Sequence, residues 1–320
     1  MLHFRKFTMD DKTVLDEYLY NYGENSCQHS FVMMYVMNDK YGDEICIEDK
    51  CLYILRSNMC TDKERVYLYP FTKESNIDKA LDNILEDAAL HGSKAVFYTV
   101  TEQAKETIQL KYGDRFIYQD ERDYSEYIYK AETLRDLPGR KLAPKRTHVR
   151  NFMSNYSEWM RIEVFGRKNI IEEYNENEAA AEHDKRIIED ILYFQDRYLI
   201  EKQDSSLYSD FLKEDARIRK TLENYVILGI RGIALYIDST LAGYAYGAPL
   251  SDNCIDEIAE KGDISYSAIY QMVNQIFSDK IGSDFKYINR EEDIGLEGLR
   301  KAKLSYQPCL LMSKYIAKEK

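Results

Sequence analysis

No uninterrupted apolar run in this chain approaches the roughly 20 residues that span a bilayer. The N-terminal stretch MLHFRKFTMDDKT has no apolar core of the kind a secretory signal needs. Neither a membrane span nor export is therefore expected, and the expected location is the cytoplasm. The six cysteines (Cys27, Cys46, Cys51, Cys60, Cys254, Cys309) show no C-x-x-C spacing and fall mostly in apolar, strand-like stretches. That argues against a zinc site or a disulfide framework and for reduced core thiols. None of the five histidines (His3, His29, His91, His148, His183) stands at a recognised catalytic or metal spacing from Cys, Ser or acid, so no metal is assigned. Net positive charge is also missing: a formal charge of -12 disfavours broad binding to DNA, other nucleic acid or anionic lipid.

What is present is enough for a large core. At 320 residues the chain exceeds the usual single-domain size, which predicts two domains of roughly 150 residues each. A hydrophobic content of 44% with 13% aromatic residues excludes a disordered chain, and 31% charged residues describe a well-solvated exterior. Against the acidic background stands one basic patch, residues 139–152 (GRKLAPKRTHVRNF), where Arg140, Lys141, Lys145, Arg146 and Arg150 occur without an acid. It reads either as a solvated face or as a surface that contacts phosphates.

Periodicity orders the first part, residues 1–130, as strand, two helices, three strands, helix, strand, helix and closing strands. Asp49-Lys50 joins two of the strands as a short hairpin, and residues 77–91 form an amphipathic helix closed by Gly92. Residues 131–156 read as a connecting helix interrupted at Pro144, the natural domain boundary. Beyond it, residues 157–320 repeat the order: a strand from 159, helices over 177–200 and 209–222, and strands over 232–237, 241–249 and 254–260. A helix over 267–279, a short strand at 286–289 and a last strand at 309–315 complete it. The two parts share element order without alignable sequence, an internal repeat of fold that belongs to the α+β (mixed α/β) class.

The densest stretch is 286–308, KYINREEDIGLEGLRKAKLSYQP, in which a short strand runs into a turn of Arg290, Glu291, Glu292 and Asp293 and then into a helix opening beside Gly295. Polar groups at the carboxyl end of a strand sit where a sheet opens toward ligand, and Asp293 is placed to cap the helix. The hairpin 233–246, IALYIDSTLAGYAY, resembles the central hairpin of the GNAT acyltransferase fold. Joined to 269–275 (IYQMVNQ) and to 289–308, it resembles the family built on the C-terminal domain of phosphatidylglycerol lysyltransferase. Those proteins are tandem GNAT folds similar in architecture to the Fem aminoacyltransferases. The resemblance implies two tandem GNAT-like domains, each a mixed, mostly antiparallel sheet flanked by helices, and it implies acyl transfer. Lys303, Tyr306 and Pro308 fall on the family's Lys, aromatic and Pro positions. Ser305 replaces a second Lys, no Trp follows Pro308, and the segment at the usual phosphate loop, 260–267, keeps only Gly262.

Acyl transfer to an amine needs a base, donors for the developing oxyanion and an acid for the leaving group. Glu257 and Glu260, three apart on a strand, are expected on opposite faces, so that only one looks into the cleft. Glu260 is taken as the base, against the alternative of a solvated strand-end carboxylate. Asn289 ends the fifth strand and can orient a substrate carbonyl. By resemblance, Tyr306 is the acid, against the alternative of a core aromatic. Arg290, Glu291, Glu292 and Lys303 form the expected substrate-binding set, which equally describes a solvated turn. Backbone N–H groups at a helix start can hold a pyrophosphate, which assigns donor binding to Lys261, Gly262, Ile264, Ser265 and Ser267, with Arg146 and Arg150 from the basic patch. No permanently bound cofactor is expected. The co-substrate is a small activated acyl donor, with acyl-CoA slightly favoured, or an aminoacyl-tRNA serving a lipid or peptide acceptor. A noncatalytic binding protein of the same fold is the rival, and the oligomeric state stays open.

Overall fold

The computed structural model describes residues 2–166 and 178–320. Its strands, in chain order, are β1 (Arg5–Lys6), β2 (Asp43–Glu48), β3 (Cys51–Arg56), β4 (Glu64–Leu68), β5 (Lys94–Val100), β6 (Phe116–Asp120) and β7 (Glu126–Lys130). Then follow β8 (Met160–Phe165), β9 (Arg231–Ile237), β10 (Thr240–Ser251), β11 (Cys254–Gly262), β12 (Tyr287–Asn289), β13 (Leu310–Met312) and β14 (Tyr315–Glu319). The chain folds into two compact units: Met1–Ile128 with Glu291–Lys303 and Leu310–Lys320, and Tyr129–Arg290 with Leu304–Cys309. Residues 131–156 thus lie in the second unit, and most of the chain's last 30 residues lie in the first.

The first unit is built on a seven-stranded sheet in the order β1-β2-β3-β4-β5-β14-β6. Asp49 and Lys50 are both left-handed (φ 50° and 60°), the geometry of a two-residue turn whose twist matches that of antiparallel strands. Strands β1 to β4 pair antiparallel, and β4 then pairs parallel with β5 across the helix Ile77–Leu90. That helix buries Ala80, Leu81, Ile84, Leu85 and Ala88, a stripe at helical spacing, against Tyr53, Leu55, Tyr67, Phe97 and Phe116 of the sheet. The sheet is closed by the last strand of the chain, β14, inserted between β5 and β6.

The second unit repeats this pattern. Strands β8 to β11 pair antiparallel, and β11 pairs parallel with β12 across the helix Ile269–Lys280. Each unit is therefore a mixed sheet flanked by helices, antiparallel except for one parallel pair joined by a crossover helix, as the repeated element order predicts. The helix expected over 177–200 is Glu178–Lys202, residue 177 lying outside the described residues.

Two local expectations are corrected. Pro144 does not interrupt a helix: it stands in the first turn of Ala143–Tyr156, where its missing N–H leaves no helical hydrogen bond unmade. The break lies upstream, where Leu137 (φ 48°) and Gly139 (φ 74°) turn left-handed. The single strand expected over 309–315 is two strands, β13 and β14, split at Lys314. The ammonium of Lys314, 1% exposed, pairs with the fully buried Glu126 at 2.9 Å and donates to Ser26 Oγ at 2.6 Å. Cys27 N–H donates to the other oxygen of Glu126 at 2.9 Å.

A buried pair becomes costly when one partner is removed and the other charge is stranded. Lys314→Met should therefore lower stability by about 3–5 kcal/mol in urea unfolding, and adding Glu126→Gln should restore much of the loss. A single variant within about 1 kcal/mol of the parent would show that the pair is not holding the C-terminal strand in place.

Candidate active site

The strand β11, CIDEIAEKG, pairs with β10 on one side and with β12 on the other, and the pairing with β10 is irregular. Along β10, Tyr246 faces Ala259 whereas Gly247 faces Glu257, so Ile258 is an extra residue, a β-bulge. Gly247 permits the close approach this requires: a Cβ there would lie 1.8 Å from the carbonyl oxygen of Asp256. The extra residue shifts the alternation by one. Glu257 and Glu260, expected on opposite faces, consequently point the same way. The parallel pairing covers all of β12 and ends with that strand at Asn289, opposite Asp256, while β11 runs on to Gly262.

Arg290 follows β12 immediately. Its Nε lies 2.6 Å from Glu257 Oε2, and its Nη2 donates to Glu260 Oε2. The Glu257 side chain is 2% exposed, and those of Glu260 and Arg290 are 13% exposed. The guanidinium also lies 5.4 Å from the ring centre of Tyr306 and 5.9 Å from that of Tyr129. Lys145 places its ammonium 4.2 Å from the centre of the same Tyr306 ring, within cation–π range.

Burial pushes the Glu260 carboxyl up to about 8; Arg290 opposes this, and the neighbouring carboxylate of Glu257 reinforces it. Two carboxyl groups sharing one guanidinium in a dry place thus hold a proton near neutrality. Tyr306 is raised above the ordinary phenol range, first by burial and then by Glu260, so it keeps its proton. Lys145 is lowered, by burial and then by Arg290, with Glu260 opposing.

Of the residues singled out from sequence, Glu260, Arg290 and Tyr306 come together in the second unit. Asn289 is fully buried opposite Asp256. Lys261, 7% exposed, donates to Glu214 Oε2 at 2.7 Å and lies 4.9 Å from the ring centre of Tyr198. Gly262 packs on Ile269, whereas Ile264, Ser265 and Ser267 are exposed, and Ser265 N–H donates to Asp263 Oδ1 at 2.9 Å. Arg146 spends its guanidinium on the carbonyls of Leu137 and Gly139, fastening the turn before its helix. Among the described residues Arg150 reaches only Thr147 Oγ1, at 3.3 Å.

The charged turn is divided between the units, Arg290 in the second and Glu291 to Asp293 in the first. Glu292 accepts from Gln28 Nε2 at 3.3 Å, and Lys303, 8% exposed, lies 5.8 Å from the ring centre of Tyr127. Asp293 does not cap a helix N–H, as the helix starts at Glu297. Its carboxylate accepts from Gly295 N–H, from Arg300 Nε and Nη2, from Arg122 and from the Tyr127 hydroxyl. These partners hold it well below the usual carboxylate range against the cost of burial.

A further set of residues borders the predicted donor loop. A pocket of about 60 Å³ is lined there by two cations, Arg197 and Lys202, by two carboxylates, Glu201 and Asp263, and by Phe194, Tyr198, Gly262, Ile264 and Tyr270. The buried Nε of Arg197 has no hydrogen-bond partner among the described residues. Sequence reading passed over Arg197 and Tyr129, set Glu257 on the face away from Glu260 and left Lys145 within the basic patch. The one available signal was Gly247 in mid-strand, a mark of a bulge or a close backbone approach.

A family described as "Phosphatidylglycerol lysyltransferase, C-terminal" matches residues 21–318. The chain belongs to that family. A conserved protein of unknown function from Bacteroides thetaiotaomicron is similar in structure over 100% of both chains, at 25% identity and a TM-score of 0.83. The C-terminal domain of a putative lysylphosphatidylglycerol synthetase from Agrobacterium fabrum matches 98% of this chain and 91% of its own, at 11% identity and a TM-score of 0.64. The L-PGS of Bacillus licheniformis matches 97% and 92%, at 14% identity and a TM-score of 0.62. In sequence, an uncharacterized protein of Mycoplasmoides gallisepticum is 22% identical over 277 residues, 86% of this chain and 82% of that one. Family and fold together point to acyl or aminoacyl transfer as the class of activity. Among the described residues, no helix is long and apolar enough to cross a membrane.

The proton on Glu260 has a consequence for stability. Its folded value, about 8, lies above the ordinary value of 4.5, so the folded chain binds this proton more tightly than the unfolded chain. The contribution is complete below about pH 4.5 and is lost as pH rises through about 8. Urea midpoints of the parent should therefore fall between pH 5 and pH 9 more steeply than those of Glu260→Gln, in line with the folded value of about 8. Parallel pH profiles would remove Glu260 as the titrating group.

Proposed function

We propose that this chain transfers an aminoacyl or acyl group from an activated donor to an amine or hydroxyl, with the reaction centre at Glu257, Glu260, Arg290 and Tyr306. One observation carries the reading: the Glu257 and Glu260 carboxyl groups share the Arg290 guanidinium beside the Tyr306 ring, where β12 ends. Glu260, raised to about 8, is partly ionised at neutral to mildly alkaline pH, and that ionised form can receive the proton that an attacking amine releases. Tyr306, holding its own proton, supplies one to the departing oxygen or sulfur. Arg290 fixes both carboxylates and balances their charge.

The donor read first is an aminoacyl ester, following the lysyl group in the family's description; a CoA thioester is second. Either carries phosphates, and the loop before the helix Ile269–Lys280 offers them backbone N–H groups at a helix start. Because the Lys261 ammonium is committed to Glu214, the cations left to meet a phosphate there are Arg197 and Lys202. The pocket between them has room for one phosphate-sized group. An amine acceptor fits the carboxyl pair, which attracts an ammonium and can then deprotonate it.

The test is transfer of label from lysyl-tRNA or from acetyl-CoA to a small primary amine and to phosphatidylglycerol vesicles. Glu260→Gln and Tyr306→Phe should each lower turnover by about 10²- to 10⁴-fold, Tyr306→Phe with little change in melting temperature. Full activity in both variants would move the reaction centre elsewhere.

A further inference from the structure

The basic patch that sequence analysis singled out divides in the fold. Arg140, Lys141 and Arg150 are exposed, and Arg146 binds carbonyls of its own turn. Lys145 is the member that turns inward. It is half-buried on the helix Ala143–Tyr156, with its ammonium 4.2 Å from the centre of the Tyr306 ring. That ring also lies 5.4 Å from Arg290, which binds both Glu257 and Glu260. No carboxylate forms an ion pair with Lys145 among the described residues, whereas the other inward lysine of this unit, Lys261, is paired. A primary amine therefore sits at the rim of the carboxyl pair without a counter-charge of its own.

We propose that Lys145 is an internal acyl acceptor, its ε-amine taking the transferred group as an amide when no external acceptor is bound. This rests on the acyl-transfer reading above. The amine nitrogen forms a bond to the donor's carbonyl carbon, and the carbon–oxygen bond of an ester, or the carbon–sulfur bond of a thioester, breaks. The proton lost by nitrogen passes to the Glu257–Glu260 pair, and the leaving oxygen or sulfur takes one from Tyr306. Burial and the nearby Arg290 favour the neutral amine that this attack needs. The product is uncharged and bulkier, so it fills the rim and removes a cation from beside Arg290. Modification would thus be self-limiting and would shut the site.

The experiment incubates the full chain with lysyl-tRNA, or with acetyl-CoA, without any acceptor, followed by intact-mass measurement and peptide mapping. A heat-unfolded sample controls for spontaneous acylation. One added group on Lys145 is expected, absent in Lys145→Arg and also absent in Glu260→Gln, where Lys145 is still present. Melting curves of both variants check that each is folded. Equal labelling of Lys145→Arg, or labelling spread over exposed lysines as in the unfolded control, would overturn the proposal. If a small primary amine such as butylamine is acylated while Lys145 stays unmodified, the internal acceptor fails and the transferase reading stands. If neither amine is acylated from either donor, both fail.

Discussion

A guanidinium held between two carboxylates in a nearly dry opening is the interaction on which the second unit depends. Removing a guanidinium and its carboxyl partners from water costs several kcal/mol for each charge, and only close, mutual pairing offsets it. Arg290 achieves that pairing because β12 ends at Asn289, one residue before it, and because Ile258 bulges from β11 so that Glu257 and Glu260 face the same way. The bulge in turn needs the bare backbone of Gly247 on the neighbouring strand. Sheet geometry and site electrostatics are therefore one constraint: changing the register of β11 would leave one carboxylate unpaired in the interior.

The first unit repeats the fold without repeating the site. Its parallel pair, β4 and β5, stays in register from Glu64 and Lys94 to Leu68 and Tyr98, the whole length of β4. The second unit's pair likewise covers the whole of its shorter strand, β12, and β11 runs on beyond it as β5 runs on beyond β4. The buried charges of the first unit are tied into its structure instead: Lys314 with Glu126, Arg65 with Asp87, and Asp293 with Arg300 and Arg122. One sheet plan thus carries a proton-holding cluster in one copy and interior ties in the other.

Much of the fold was legible because it rests on local periodicity. The stripe of Ala80, Leu81, Ile84, Leu85 and Ala88, the left-handed pair Asp49-Lys50 and the repeated order of elements all follow from residue spacing and turn chemistry. Errors arose where a local rule met a tertiary demand. Pro144 is a breaker in mid-helix and harmless in a first turn, and only the fold decides which applies. Leu310 to Tyr315 is apolar enough for one strand, yet Lys314 is drawn inward by Glu126, 188 positions earlier in the chain, and splits it.

By itself the sequence determined the class of fold, its duplication, and the family, through the spacing of residues from Asn289 to Pro308. It also marked Glu260 and Arg290, at strand ends, and Tyr306, after the last helix, as chemically apt, beside the alternatives of a solvated carboxylate, a solvated turn and a core aromatic. Tertiary structure alone decided which of the charged residues meet. Glu257 joins Glu260 through a bulge that strict alternation cannot express. Lys145 separates from its basic neighbours because the helix Ala143–Tyr156 turns one side toward Tyr306. Glu291, Glu292 and Asp293, contiguous with Arg290 in sequence, belong to the other unit. The physical reason is that short-range rules set backbone conformation and the facing of side chains within one element. The pairing of buried charges depends on distances between elements far apart in the chain, and packing fixes those distances.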